Sequence, residues 1–142
     1  MTGFNDEQVW LGTWGKVWID GDLMSEATAF RAEVTISYED VKRVQNLMTG
    51  QKMTGIAGEG EITLHKVDSY VLKKVAAKIK AGKIPDITIE SSWADPNGVG
   101  EQRIAVKHVK FEKITLIDWE TGNIGEESYS FRFSDYDIKA MA

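Results

Sequence analysis

One stretch of this sequence carries a continuous helical stripe. In SYVLKKVAAKIKA, residues 69–81, Val71, Val75 and Ile79 join Leu72 and Ala76 in a continuous apolar face, and the lysines lie mostly off it. Asp68 or Ser69 is placed to cap its start, and Gly82 with Pro85 to stop it. Elsewhere the period is two. Phe30, Ala32, Val34 and Ile36 alternate with Arg31, Glu33, Thr35 and Ser37, the pattern of a half-buried strand. Ile87 and Ile89 alternate with Thr88 and Glu90, and Tyr129, Phe131 and Phe133 with Ser128, Ser130 and Arg132, while Asp95-Pro96-Asn97-Gly98 and Thr121-Gly122-Asn123 read as turns. A single helix among many strands must lay its stripe on a sheet. The expected fold is therefore mainly β: an antiparallel β-sandwich or barrel with one flanking α-helix at about residues 69–81 and a long extended arm.

Three stretches are less regular. From Arg103 to Trp119 the apolar face jumps by three residues, from Val106 to Val109 and from Phe111 to Ile114, which predicts one long strand bent by bulges. Residues 38–48 fit either a short helix, with Ser37 and Asp40 resembling a capping box, or one side of an extended hairpin. Trp10, Trp14 and Trp18 recur every four residues, a spacing that helix and strand both accept. Gly12 and Gly15 would each cost a helix about 1 kcal/mol, so Thr13–Ile19 is expected to be a strand with the tryptophans as core or interface anchors.

At 142 residues the chain is long enough to bury a core without disulfides or metal, and is expected to form one domain over residues 1–142. Its 42% hydrophobic and 27% charged residues suit a soluble globular chain, with no apolar run long enough for a membrane anchor. MTGFNDEQVW has neither the basic nor the apolar region of a signal peptide, and the absence of cysteine is compatible with a reducing cytoplasm. The net charge of −5 is unevenly spread: six lysines face one aspartate between His65 and Lys83, and the remainder is acidic. A dominant basic face for gripping nucleic acid is missing.

GQKMTGIAGEG, Gly50–Gly60, imitates a phosphate-binding loop, with two glycines five residues apart. A P-loop requires Lys then Ser or Thr directly after the second glycine, and Ile56 and Ala57 stand there. The following Glu61–His65 alternates as a strand instead of opening a helix. The repeated Met-Thr-Gly of Met48–Gly50 and Met53–Gly55 supplies adaptable apolar side chains and a backbone that others can approach closely. Catalytic patterns are sparse: His65 and His108 sit in strand patterns without ligand spacing around them, and Asp118 with Glu120 reads as an exposed acidic pair. No enzymatic activity and no cofactor is expected.

The element order resembles a known family. A tryptophan-rich start, the run RVQNLMTGQKMTGIAGEGEITLHKV, the helix DSYVLKKVAAKIKAG and a bent meander ending in SYSFRFSDYDI are similar, over nearly the whole chain, to tail tube proteins of contractile-tailed phages, especially PBSX-like prophages. The resemblance implies a structural virion tail protein, assembled in the host cytoplasm, whose hexameric rings stack into a tube beside tail sheath, baseplate and tape-measure proteins, with DNA passing the lumen without specific binding. It makes residues 40–60 a candidate assembly arm, with Arg43, Met48, Thr49, Gly50, Lys52, Met53, Thr54, Gly55, Gly58 and Gly60 as candidate contacts. Trp10 and Trp14 join them as candidate interface anchors. Rival readings are a tube component of a type VI secretion-like system and a monomeric ligand-binding β-barrel with aromatic residues lining a pocket.

Overall fold

A computed structural model of the chain describes Gly3 and residues 5–141. Two short 3-10 turns, Asp6–Gln8 and Gly12–Trp14, precede strands β1 (Gly15–Ile19), β2 (Asp22–Leu23), β3 (Ala27–Val41) and β4 (Gly50–His65). Helix α1 (Tyr70–Lys80) follows, then β5 (Ile87–Trp93), β6 (Gln102–Phe111), β7 (Glu126–Phe133) and β8 (Asp135–Ala140). All pairings are antiparallel, in the order β2-β1-β5-β6-β7-β4-β3 with β8 added on β6. The mainly β architecture with a single helix is as the residue patterns imply.

Strand β6 holds the two halves of the sheet together. Its first part pairs with β5 and β8, and its last residues, Lys110 and Phe111, pair with Arg132 and Phe131 of β7. Between them the register skips, Ile89 facing Val106 and Ile87 facing Val109, so β6 carries one extra residue. His108 in that bulge has φ 55°, a left-handed backbone that histidine tolerates better than β-branched residues do. The bend turns one half of the sheet over the other. Val17, Ile19, Ile87, Ile89 and Val106 thereby share a core with Ile62, Leu64, Tyr129, Phe131 and Phe133.

The helix closes this core with Val71 and Val75, while Ile79 at the far end of the stripe stays exposed. Its first turn is held by the Asp68 carboxylate, which accepts the Tyr70 N–H at 3.1 Å; Ser69 makes no capping bond. Tyr70 and Lys74 then dock on the Asp20-Gly21 turn, the hydroxyl donating to the Asp22 carboxylate at 2.5 Å and the ammonium to Asp20 at 3.1 Å. Asp20 and Gly21 both have positive φ, the geometry a two-residue hairpin needs. Gly82, at φ 78°, ends the helix.

Several elements depart from expectation. Thr13 and Trp14 belong to a 3-10 turn, so β1 begins at Gly15. Trp10, Trp14 and Trp18 therefore form no row: Trp10 packs edge-on against Trp93 at 5.4 Å, Trp14 is exposed, and Trp18 lies under the Arg103 guanidinium at 5.0 Å. The long strand ends at Phe111, because the second jump in its pattern is a strand end and not a bulge; residues 112–125 form a loop. Residues 38–41 extend β3, which resolves that stretch as hairpin rather than helix.

One buried charge ties the base of the structure together. Glu127 accepts the hydroxyl of fully buried Tyr129 and receives the Lys66 ammonium at 2.6 Å. Burial, followed by that hydrogen bond to the carboxylate, pushes the Tyr129 phenol well above its ordinary range. Replacing Glu127 by Ala strands the hydroxyl, and urea denaturation is expected to register a loss of about 2–3 kcal/mol. A loss under about 0.5 kcal/mol would mean that the hydroxyl finds another partner.

Candidate assembly surface

The β3–β4 hairpin outgrows the sheet that supports it. β4 pairs with β7 only from Gly58 to His65; from Gly50 to Ala57 its one partner among the described residues is β3. At about 3.3 Å per residue this outer part adds roughly 25 Å of two-stranded ribbon. A ribbon of that kind is marginally stable alone.

Its two faces differ. Cross-strand pairs share a face, so Val34 opposite Gly58, Ile36 opposite Ile56 and Tyr38 opposite Met53 continue the face that, nearer the base, carries Phe30 and the buried Ile62. Val34, Ile36, Tyr38, Met53 and Ile56 are nevertheless all exposed. The alternation from Thr28 thus predicts a strand correctly, yet its half-buried face is covered only as far as Phe30. The opposite face is polar, with Arg31 bridging Glu33 at 2.9 Å and Glu61 at 3.9 Å; the hydrogen bond that its guanidinium donates to Glu33, more than any other influence, raises its pKa.

Residues 42–49 form the tip. Gln45 takes φ 60°, Asn46 accepts the Met48 N–H at 3.0 Å, and the Arg43 guanidinium lies over Gly50. Val44 and Leu47 are 92% and 104% exposed. One extra residue, Thr54, shifts the register between Ser37 and Tyr38 and donates its hydroxyl to the Ser37 carbonyl at 3.3 Å. Arg43, Met48, Thr49, Gly50, Lys52, Met53, Thr54 and Gly55 are therefore brought together on one projection.

Gly58 and Gly60 lie elsewhere. They sit directly opposite Phe133 and Phe131 of β7, and a Cβ on either would meet those rings at 2.4 and 2.5 Å. The space that each leaves is filled by this chain's own core. Trp10 and Trp14 are not on the projection either; they flank the start of β1, where Trp10 also closes over Gly98. Sequence reasoning missed the loop after β6, whose Leu116, Ile117, Trp119 and Ile124 are exposed. Four large apolar residues so close to Asp118, Glu120, Gly122 and Gly125 were its only signal.

The remaining polar candidates are isolated. His65 stands 4.0 Å from Glu126 and His108 3.2 Å from Asp86, both pairs exposed, and Asp118 and Glu120 lie in the loop. Among the described residues no group of three or more His, Cys, Asp and Glu is placed to hold a metal ion, and no helix is long and apolar enough to cross a membrane.

The fold is similar to that of the tube-terminating cap of the anti-feeding prophage, with a TM-score of 0.76 at 8% identity over 99% of this chain and 97% of that one. It is also similar to a chain of the sheath-tube complex of an extracellular contractile injection system, with a TM-score of 0.66 at 10% identity over 96% and 95%. XkdM, a protein of the phage-like element PBSX of Bacillus subtilis (strain 168), is 31% identical over 130 residues, 89% of this chain and 88% of its own length. At 8% and 10% identity the two solved structures show a shared fold. The phage tail tube protein family matches residues 2–139, and with its ribbon projecting beyond a bent antiparallel sheet the chain belongs to that family.

Proposed function

We propose that this protein forms the inner tail tube of a contractile phage or phage-like particle, by stacking hexameric rings into a conduit for DNA. The observation that carries the reading is the outer β3–β4 ribbon, whose apolar face continues the core yet has none of the described residues over it. An uncovered face of this kind, beside the free edge of a 15-residue strand, favours pairing with another copy. Residues 40–60 act as the assembly arm of a single tail tube domain over residues 1–142, with Arg43, Met48, Lys52 and Met53 among its contacts. Trp14 serves as a second contact near β1. Sheath, baseplate and tape-measure proteins complete the particle in the host cytoplasm. The net charge of −5 suits a lumen that passes DNA without gripping it.

Electron microscopy of concentrated protein, with and without a baseplate-bearing lysate as seed, tests this. Hollow tubes with a regular axial repeat and six-fold averages are the expected result. Dispersed particles under both conditions would remove it.

A further inference from the structure

Two segments of this chain carry opposite charge and uncovered apolar side chains, and they stand at opposite ends of the same ladder. Residues 41–53 at the hairpin tip hold Lys42, Arg43 and Lys52 and no acidic residue. Residues 114–126 hold Asp118, Glu120 and Glu126 and no basic residue. Among the described residues none of the three tip cations makes an ion pair, and neither does Asp118 or Glu120. The tip exposes Val44, Leu47 and Met48, and the loop exposes Trp119 and Ile124 at 75% and 82%.

Distance prevents one chain from joining them. Glu126 pairs with His65, and the Lys66 N–H donates to the Gly125 carbonyl at 2.8 Å, so the loop sits at the base of β4 while Gly50 begins β4 at the tip. Along a strand of 16 residues that is on the order of 50 Å. We infer that the hairpin tip of one copy docks on the 114–126 loop of the next, Leu47 and Met48 against Trp119 and Ile124, with Lys42 and Arg43 facing Asp118 and Glu120. The inference rests on the assembly reading above and gives the arm its receiving surface. A contact between two different patches at opposite ends is head-to-tail and does not use itself up: each copy added presents a fresh tip or loop. Growth along one direction follows.

The absence of cysteine from the chain gives a direct test. Thr49→Cys and Thr121→Cys both replace exposed side chains beside the contact and leave its four apolar residues in place, so neither substitution disturbs the core. The two variants are mixed under the seeded conditions used for microscopy and treated with a short bismaleimide. Mixed dimers are expected to exceed either homodimer by about tenfold, because charge and shape select the unlike pair. The double variant should give a ladder of covalent oligomers. Asp118→Lys with Glu120→Lys should abolish the preference, and Lys42→Glu with Arg43→Glu in the partner should restore it. Mixed dimers in only about the twofold excess of random encounter would overturn the contact. Tubes accompanied by random crosslinking would remove the contact and leave the tube reading standing; a selective ladder without tubes would do the reverse.

Discussion

A chain in which residues 36–56 are replaced by Asn-Gly is expected to fold and to make no tubes. Thr35 and Ala57 are cross-strand partners, so a two-residue turn closes the ribbon there without disturbing the register. The pairing of β4 with β7 begins at Gly58, beyond the cut, and no residue from 36 to 56 is buried. Nothing in the core loses a neighbour. The melting temperature followed by circular dichroism should therefore move by only a few degrees, since substitutions remote from buried features usually stay within about 0.5 kcal/mol. Assembly should respond very differently. Ile36, Tyr38, Met53 and Ile56 are removed with the tip, and full burial of side chains this size is worth about 1.5–3 kcal/mol each, a gross contribution near 10 kcal/mol. Electron microscopy and size-exclusion chromatography would read the result. Tubes at the parent yield would mean that the ribbon is no assembly arm.

The fold was legible where a residue's neighbours lie in its own chain. Tyr129, Phe131 and Phe133 alternate because β7 has a core on one face, and Val71 and Val75 mark the helix for the same reason. The bulge at His108 was visible as the jump from Val106 to Val109. What misled was apolar sequence with no cover among the described residues. The Phe30–Ile36 alternation promises a half-buried face, but the side chains beyond Phe30 face solvent in the isolated subunit. Ile114 and Leu116 continued the apolar pattern past Phe111, although Leu116 belongs to an exposed loop and not to a strand. Of the candidate contacts, those from Arg43 to Gly55 share the projection because they are consecutive in one hairpin. Gly58 and Gly60 could not be separated from them by sequence, since the rings that fill their space arrive from β7, about 70 residues away along the chain.

Gly60→Ala is expected to be the most damaging small substitution in the glycine-rich run. Its Cβ would sit 2.3 Å from the Arg31 carbonyl oxygen as well as 2.5 Å from the Phe131 ring. The ring is fully buried and the carbonyl belongs to the paired strand β3, so neither neighbour has room to retreat. Overpacking of this kind costs about 1–3 kcal/mol and more when backbone must move, which places the loss near 3 kcal/mol and the fall in melting temperature near 10 °C. The three atoms nearest a Cβ on Gly58 all belong to the Phe133 ring and none to the backbone, and that ring is 8% exposed against 1% for Phe131, so a smaller loss follows. Gly55→Ala meets no heavy atom within 4 Å and should leave thermal stability unchanged. Three glycines within six residues therefore report three different surroundings, and thermal melts of the three variants separate a role in the core from a role in assembly. Equal melting temperatures would mean that the aromatic rings do not close over β4. A Gly55→Ala chain that melts normally but no longer polymerises would place a neighbouring copy against the one of these three glycines that its own chain leaves uncovered.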